Sequence, residues 1–123
     1  MANKLTEKVE EARTTRAVFT YTVPVGMGGD IKSVGLVELT ASEELMAAKR
    51  ASGEGARLAY EMAKTSLVEV NGSKVGLADG SADSAWNKMP PKVRNLVIQA
   101  FASLHAPPED DAASFLASRQ VRV

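Results

Sequence analysis

The sequence predicts an α+β fold, and three observations predict it. Apolar residues recur with period two in "AVFTYTVPV", which is the signature of a strand; they recur at helical spacing in "KVRNLVIQAFASL"; and glycine, Asn-Gly and double-proline punctuation separates the two kinds of segment. The expected order is an N-terminal β-hairpin, a helical pair, a second short hairpin and a C-terminal cluster of about three helices.

In chain order, "MANKLTEKVEEARTTR" places Leu5, Val9 and Ala12 at helical spacing, each isolated among charges. Residues 1–16 are therefore expected to be a flexible or partly helical arm, and residues 17–123 a single α+β domain. In the first strand Val18, Thr20 and Thr22 lie on one side and Phe19, Tyr21 and Val23 on the other. "GMGGD" follows as a turn, and "IKSVGLVEL" resumes the extended pattern with Ile31, Val34 and Leu36 as apolar anchors. Pro24, which cannot donate to a ladder, suits a strand end or an edge.

Thr40 and Glu43 have the spacing of a capping box, in which hydroxyl and carboxylate each satisfy a free backbone donor at a helix start. Gly53 and Gly55 each cost about 1 kcal/mol relative to alanine inside a helix, so a break at 52–55 is expected. The second helix of the pair carries Leu58, Ala59, Met62 and Ala63 on a shared face. In "SLVEVNGSKVG", Asn71-Gly72 is the pair that adopts positive φ at a type I′ turn, which predicts the second hairpin.

A short helix starting at Ser81 or Asp83 then takes Trp86 and Met89 as anchors, and Pro90 and Pro91 separate it from the next. Val93, Leu96, Val97, Ala100, Phe101 and Leu104 share one face of that helix and are expected to build the core; burying each larger side chain contributes roughly 1.5–3 kcal/mol. Pro107 and Pro108 stop it. Glu109, Asp110 and Asp111 suit the positive start of a last helix, anchored by Phe115 and Leu116, before the tail "SRQVRV", which fits a short strand or a binding tail.

Composition narrows the function. The chain has 15 basic and 15 acidic residues and no cysteine. A balanced charge offers no global field for phosphate backbones, so no nucleic-acid partner is expected. The absence of cysteine removes thiolate zinc sites, disulfides and thiol catalysis, and suits a reducing cytosol. The charged N-terminus contains no signal-peptide core and no membrane partner is expected.

The chemistry-bearing motifs dissolve on inspection. His105, the sole histidine, falls in the last turn of the core helix, where it suits capping of free carbonyls. "DGSADS" begins like a calcium loop, but Ser84 replaces the turn glycine and Pro90 stands where the bidentate glutamate belongs. "GMGGD" lacks the helix that a phosphate cradle requires directly after it. Glu43, Glu44, Glu109, Asp110 and Asp111 sit at helix starts, where the helix dipole accounts for them. No enzyme, cofactor or metal is expected. What remains is surface: Lys88, Lys92 and Arg94 around the double proline, with Arg119 and Arg122 in the tail, form a candidate patch for an acidic peptide. Trp86 is a candidate anchor beside it.

"YTVPV…IKSVGLVELTASEELMAAKRA" resembles the opening of the small tail assembly chaperones of long-tailed bacteriophages. "SLVEVNGSKVGLADGSADSAWNKMPPKVRNLVIQAFASLHAPPEDDAASFLASRQVRV" is similar to the rest of such proteins, with a "W…M…KVR.L…A" helix and an "FL.S" ending. The likeness covers about residues 17–123. It implies a non-enzymatic protein of the host cytoplasm that binds the tape measure protein during tail assembly, with the tail tube protein as a further candidate partner. It carries over no binding residues, so the partner-binding candidates are Trp86, Lys88, Lys92 and Arg94. A small structural virion protein of the baseplate or neck is the alternative, and homo-oligomerisation is left open.

Overall fold

The computed structural model describes residues 16–122. The elements run β1 (Phe19–Thr22), β2 (Ser33–Leu36), α1 (Ala41–Ala51), α2 (Gly55–Ser66), β3 (Leu67–Val70), β4 (Ser73–Lys74), α3 (Ser81–Lys88), α4 (Pro91–His105) and α5 (Glu109–Ala117). This is the α+β fold expected, with both hairpins, the broken helical pair and three C-terminal helices. The expected N-terminal arm lies outside the described residues except for Arg16.

Local chemistry accounts for most boundaries. The Thr40 hydroxyl accepts from the Glu43 amide while the Glu43 carboxylate accepts from the Thr40 amide, completing the capping box of α1. The helix ends at Ser52, which is left-handed, and Gly53 follows at φ +78°, so the chain reverses into α2. Asn71 and Gly72 take φ +53° and +80°, as a type I′ turn between β3 and β4 requires. Pro91 opens α4 at a position whose amide has no helical partner in any case.

The two hairpins are neighbours in one antiparallel sheet of order β1-β2-β3-β4, with α1 and α2 as the connection between its middle strands. Phe19 pairs with Leu36 and Tyr21 with Val34, while Val34 pairs with Val70. Gly35 and Leu36 oppose Glu69 and Leu67, so Val68 is the extra residue of a β-bulge, which bends the strand where it leaves α2. Asn71 joins the hairpins a second time: its side-chain oxygen accepts from the amides of Lys32 (2.6 Å) and Ser33 (3.2 Å), and its side-chain nitrogen donates to the Asp30 carbonyl (2.8 Å).

Helices cover the sheet face that carries Val34, Leu36 and Leu67. The core joins these to Val23, Ala63, Trp86, Met89, Val93 and Val97. The glycine-rich turn belongs to this packing. A Cβ on Gly28 would stand 2.5 Å from the Ile31 carbonyl oxygen and 3.3 Å from Val93, so glycine lets the turn close over the start of α4.

One expectation about burial is met in part and another is corrected. Of the six apolar residues read along one face of α4, Val93 and Val97 are fully buried in the core, whereas Leu96, Ala100, Phe101 and Leu104 pack against it half-buried. The reason is width: a stripe of six spans more of the helix circumference than one sheet can cover. Phe115 and Leu116 do not anchor α5 on the core. They are 77% and 71% exposed, and no residue of α5 is buried.

Candidate functional site

An apolar groove lies open between α2 and α4. Gly55, Leu58, Ala59 and Met62 form its α2 wall, Ile98, Phe101, Ala102 and His105 its α4 wall, and Glu44 of α1 stands at its margin, around a volume of about 460 Å³. Each wall repeats the offsets 0, 3, 4 and 7, which bring residues onto one stripe of a helix. Leu58 remains 37% exposed, and Met62, Ile98 and Phe101 are half-buried. A second, smaller groove of about 190 Å³ lies across α4, between Leu96, Ala100 and the strand segment Tyr21–Pro24.

His105 closes one end of the larger groove. Its Nε2 accepts from the Leu39 amide at 2.8 Å, which places the ring proton on Nδ1, and Nδ1 donates to the Phe101 carbonyl at 2.9 Å. The ring also lies against Phe101, with centroids 4.2 Å apart. Both nitrogens are thus engaged in tying the end of α4 to the segment before α1, in line with the capping role read from its position.

Two buried carboxylates, Glu43 of α1 and Glu61 of α2, anchor charge networks around the first two helices. Glu43 receives a bidentate pair from Arg16, at 2.6 and 2.9 Å, and Arg16 also donates to the Glu38 carbonyl. Burial opposes charge on Glu43, but the hydrogen bonds from Arg16 and Thr40 and the charge of Arg16 outweigh it, so its pKa lies below the ordinary 4.5. A carboxylate depressed in the folded state contributes stability above pH 4.5 that is lost as the pH falls below it. Glu43→Gln is accordingly expected to cost about 1–2 kcal/mol at pH 6. The difference from wild type in urea melts should shrink below pH 4.5, and one that stays constant down to pH 3 would be inconsistent with this linkage.

Glu61 of α2 meets Arg50 of α1 at 3.1 Å and Lys64 at 3.1 Å, with Arg57 at 4.0 Å. Lys64 continues to Asp83 of α3 at 2.7 Å, and Arg50 donates to Thr65. This chain of charges fastens α1, α2 and α3 together on a side of α2 away from the groove walls. Among the described residues no group of three or more histidine, cysteine or acidic side chains is arranged to hold a metal ion. Asp79, from the calcium-like stretch, accepts from the Ser81 hydroxyl (2.6 Å) and amide (2.9 Å) in the turn that leads into α3. Those two hydrogen bonds lower its pKa.

The partner-binding candidates read from sequence differ in exposure. Trp86 is 5% exposed and packs edge-on against Tyr60 with centroids 5.9 Å apart. Its large apolar area is placed under α2 instead of on the surface. Arg94 is half-buried and donates to the Met89 carbonyl at 3.1 Å, closing the turn between α3 and α4. Lys88 and Lys92 are exposed and make no ion pair among the described residues, as are Arg119 and Arg122 in the tail.

The groove residues were visible in the sequence as apolar positions but not as a surface. Leu58, Ala59 and Met62 were read as a shared face with no partner assigned, and Ile98 fell outside the stripe assigned to α4. The signal lies in excess: eight apolar residues, at 93, 96, 97, 98, 100, 101, 102 and 104, surround most of α4, more than one sheet can cover.

Neither a protein-family model, nor a curated protein, nor a solved structure matches the chain.

Proposed function

We propose that this protein is a non-enzymatic tail assembly chaperone of a long-tailed bacteriophage, binding the tape measure protein in the host cytoplasm before the tail tube closes around it. The observation that carries the reading is the open groove between α2 and α4. Its two walls present Leu58, Met62, Ile98 and Phe101 at helical spacing, which suits the apolar edge of one partner helix laid between them. A long helical tape measure protein exposes such edges until it is enclosed, and covering them is what keeps it soluble. The resemblance along residues 17–123 points to the same partner. Cofactors play no part in the proposal, nor does a membrane: no helix among the described residues is long and apolar enough to cross one.

The direct test is co-expression of the tagged chain with overlapping tape measure segments and, separately, with the tail tube protein. At least one tape measure segment should be retained and should protect the groove in hydrogen exchange. Retention of no segment would end this reading.

A small structural protein of the baseplate or neck is the second reading. It draws on the exposed α5 and on the residues that follow it, where Val121 is solvent-facing, since both suit contacts between subunits. Mass spectrometry of purified particles separates the two. A chaperone is expected to be absent, and stoichiometric presence would favour the structural role.

A further inference from the structure

Helix α5 is a second unpartnered element, and its properties match the groove. It is nine residues long, a length at which a helix without tertiary contacts is marginal in water. Even so, it carries Phe115 and Leu116, 77% and 71% exposed. Ala112, Phe115 and Leu116 follow the offsets 0, 3 and 4 and form one apolar stripe, and Arg119 follows just beyond the end of the helix.

The connection keeps α5 away from its own groove. Ala106 precedes Pro107, and Pro107 precedes Pro108, so both residues are disfavoured in the helical region that a tight reversal would use. Ala106 and Pro108 are extended, at φ −82°, ψ 133° and φ −52°, ψ 143°. The segment is a stiff spacer of about 3.1 Å per residue that projects α5 outward from the end of α4.

We propose that two copies of this chain exchange their C-terminal helices, each α5 laying Phe115 and Leu116 in the α2/α4 groove of the other. Charge fits this seating. Glu44 is the one acidic residue lining the groove, Arg119 follows the C-terminal end of α5, and neither makes an ion pair among the described residues. Area fits it as well. An aromatic side chain buries about 150–250 Å². With Leu116, Ala112 and the facing walls counted on both sides of a reciprocal exchange, the total comes to about 1,200 Å², the lower bound for a specific interface. A closed two-fold arrangement satisfies both grooves at once and leaves neither helix free to recruit further copies.

The exchange occupies the groove assigned above to a tape measure helix but does not rest on that partner, and a bound partner helix would displace it. Sedimentation velocity of the full chain from low to high micromolar concentration is the test. A concentration-dependent dimer is expected, with Phe115→Glu and Leu58→Glu each weakening it more than tenfold. Phe115 is 77% exposed, so its variant should keep the wild-type circular dichroism spectrum, and the wild-type melting temperature at concentrations where both chains are monomeric. Glu44→Arg and Arg119→Glu should each weaken the dimer, and the double variant should recover it. A wild-type chain that is monomeric throughout, a dimer unchanged by Phe115→Glu, an open series of larger assemblies, or a double variant no better than the singles would each overturn the proposal. A monomeric wild type that still retains a tape measure segment would reject the exchange alone.

Discussion

Trp86→Ala is expected to lower stability by about 3–5 kcal/mol, the range for emptying the site of a large aromatic side chain in a packed core. Trp86 is 5% exposed, meets the Tyr60 ring edge-on and shares the central cluster with Leu36, Leu67, Met89 and Val93. Its loss would open a cavity between α2 and α3 that the ion pairs of Glu61 and Lys64 prevent from collapsing freely. In thermal melts the change corresponds to a fall in Tm of roughly 12–20 °C for a chain of this size. Trp86→Phe should recover a large share of it. The outcome also decides a question the sequence raised. An anchor for a partner would lose binding while the chain kept its melting temperature, and that result would return Trp86 to the surface.

Leu58→Glu is expected to weaken binding of the retained tape measure segment at least tenfold, a change of about 1.4 kcal/mol or more. The reason is desolvation: a carboxylate on the α2 wall would have to give up water to meet an apolar partner edge with no cation opposite it. Leu58 is already 37% exposed, so the folded chain should tolerate the change with little effect on its melt. Charge reversal at Lys88 and Lys92, both solvent-facing, should alter the salt dependence of binding more than its strength. If instead the lysine variants abolish binding and Leu58→Glu does not, the partner lies on the basic surface and the groove assignment fails. Phe115→Glu supplies a further control, since it leaves both groove walls intact and should preserve partner binding.

The capping box of Thr40 and Glu43, the break at Ser52 and Gly53, the Asn71-Gly72 turn and the double prolines around α4 were all legible in the sequence. Each is a matter of a few neighbouring residues, whose dihedral preferences and hydrogen-bonding groups act locally. The same locality explains why the acidic residues at helix starts were assigned to the helix dipole and why the calcium-like stretch was set aside as a metal site. Position relative to a helix end is enough to account for them.

The candidate site was a different matter. Whether Leu58, Met62, Ile98 and Phe101 face a core or an open groove depends on where α2 and α4 sit on the sheet, and no periodicity contains that information. Trp86 and Phe115 were both apolar anchors by pattern, yet the fold buries one and leaves the other in solvent. Between them the deciding residues are Pro107 and Pro108, which direct α5 away from the core, and Tyr60, which comes from another helix to meet Trp86. The sequence by itself determined the elements and their ends, because propensity, capping and turn chemistry are short-range. Only the tertiary structure decided that two hairpins form one sheet, which apolar faces that sheet covers, and which are left for a partner. Those outcomes come from contacts between residues far apart in the chain, and the area available for burial is known only once the layers are packed.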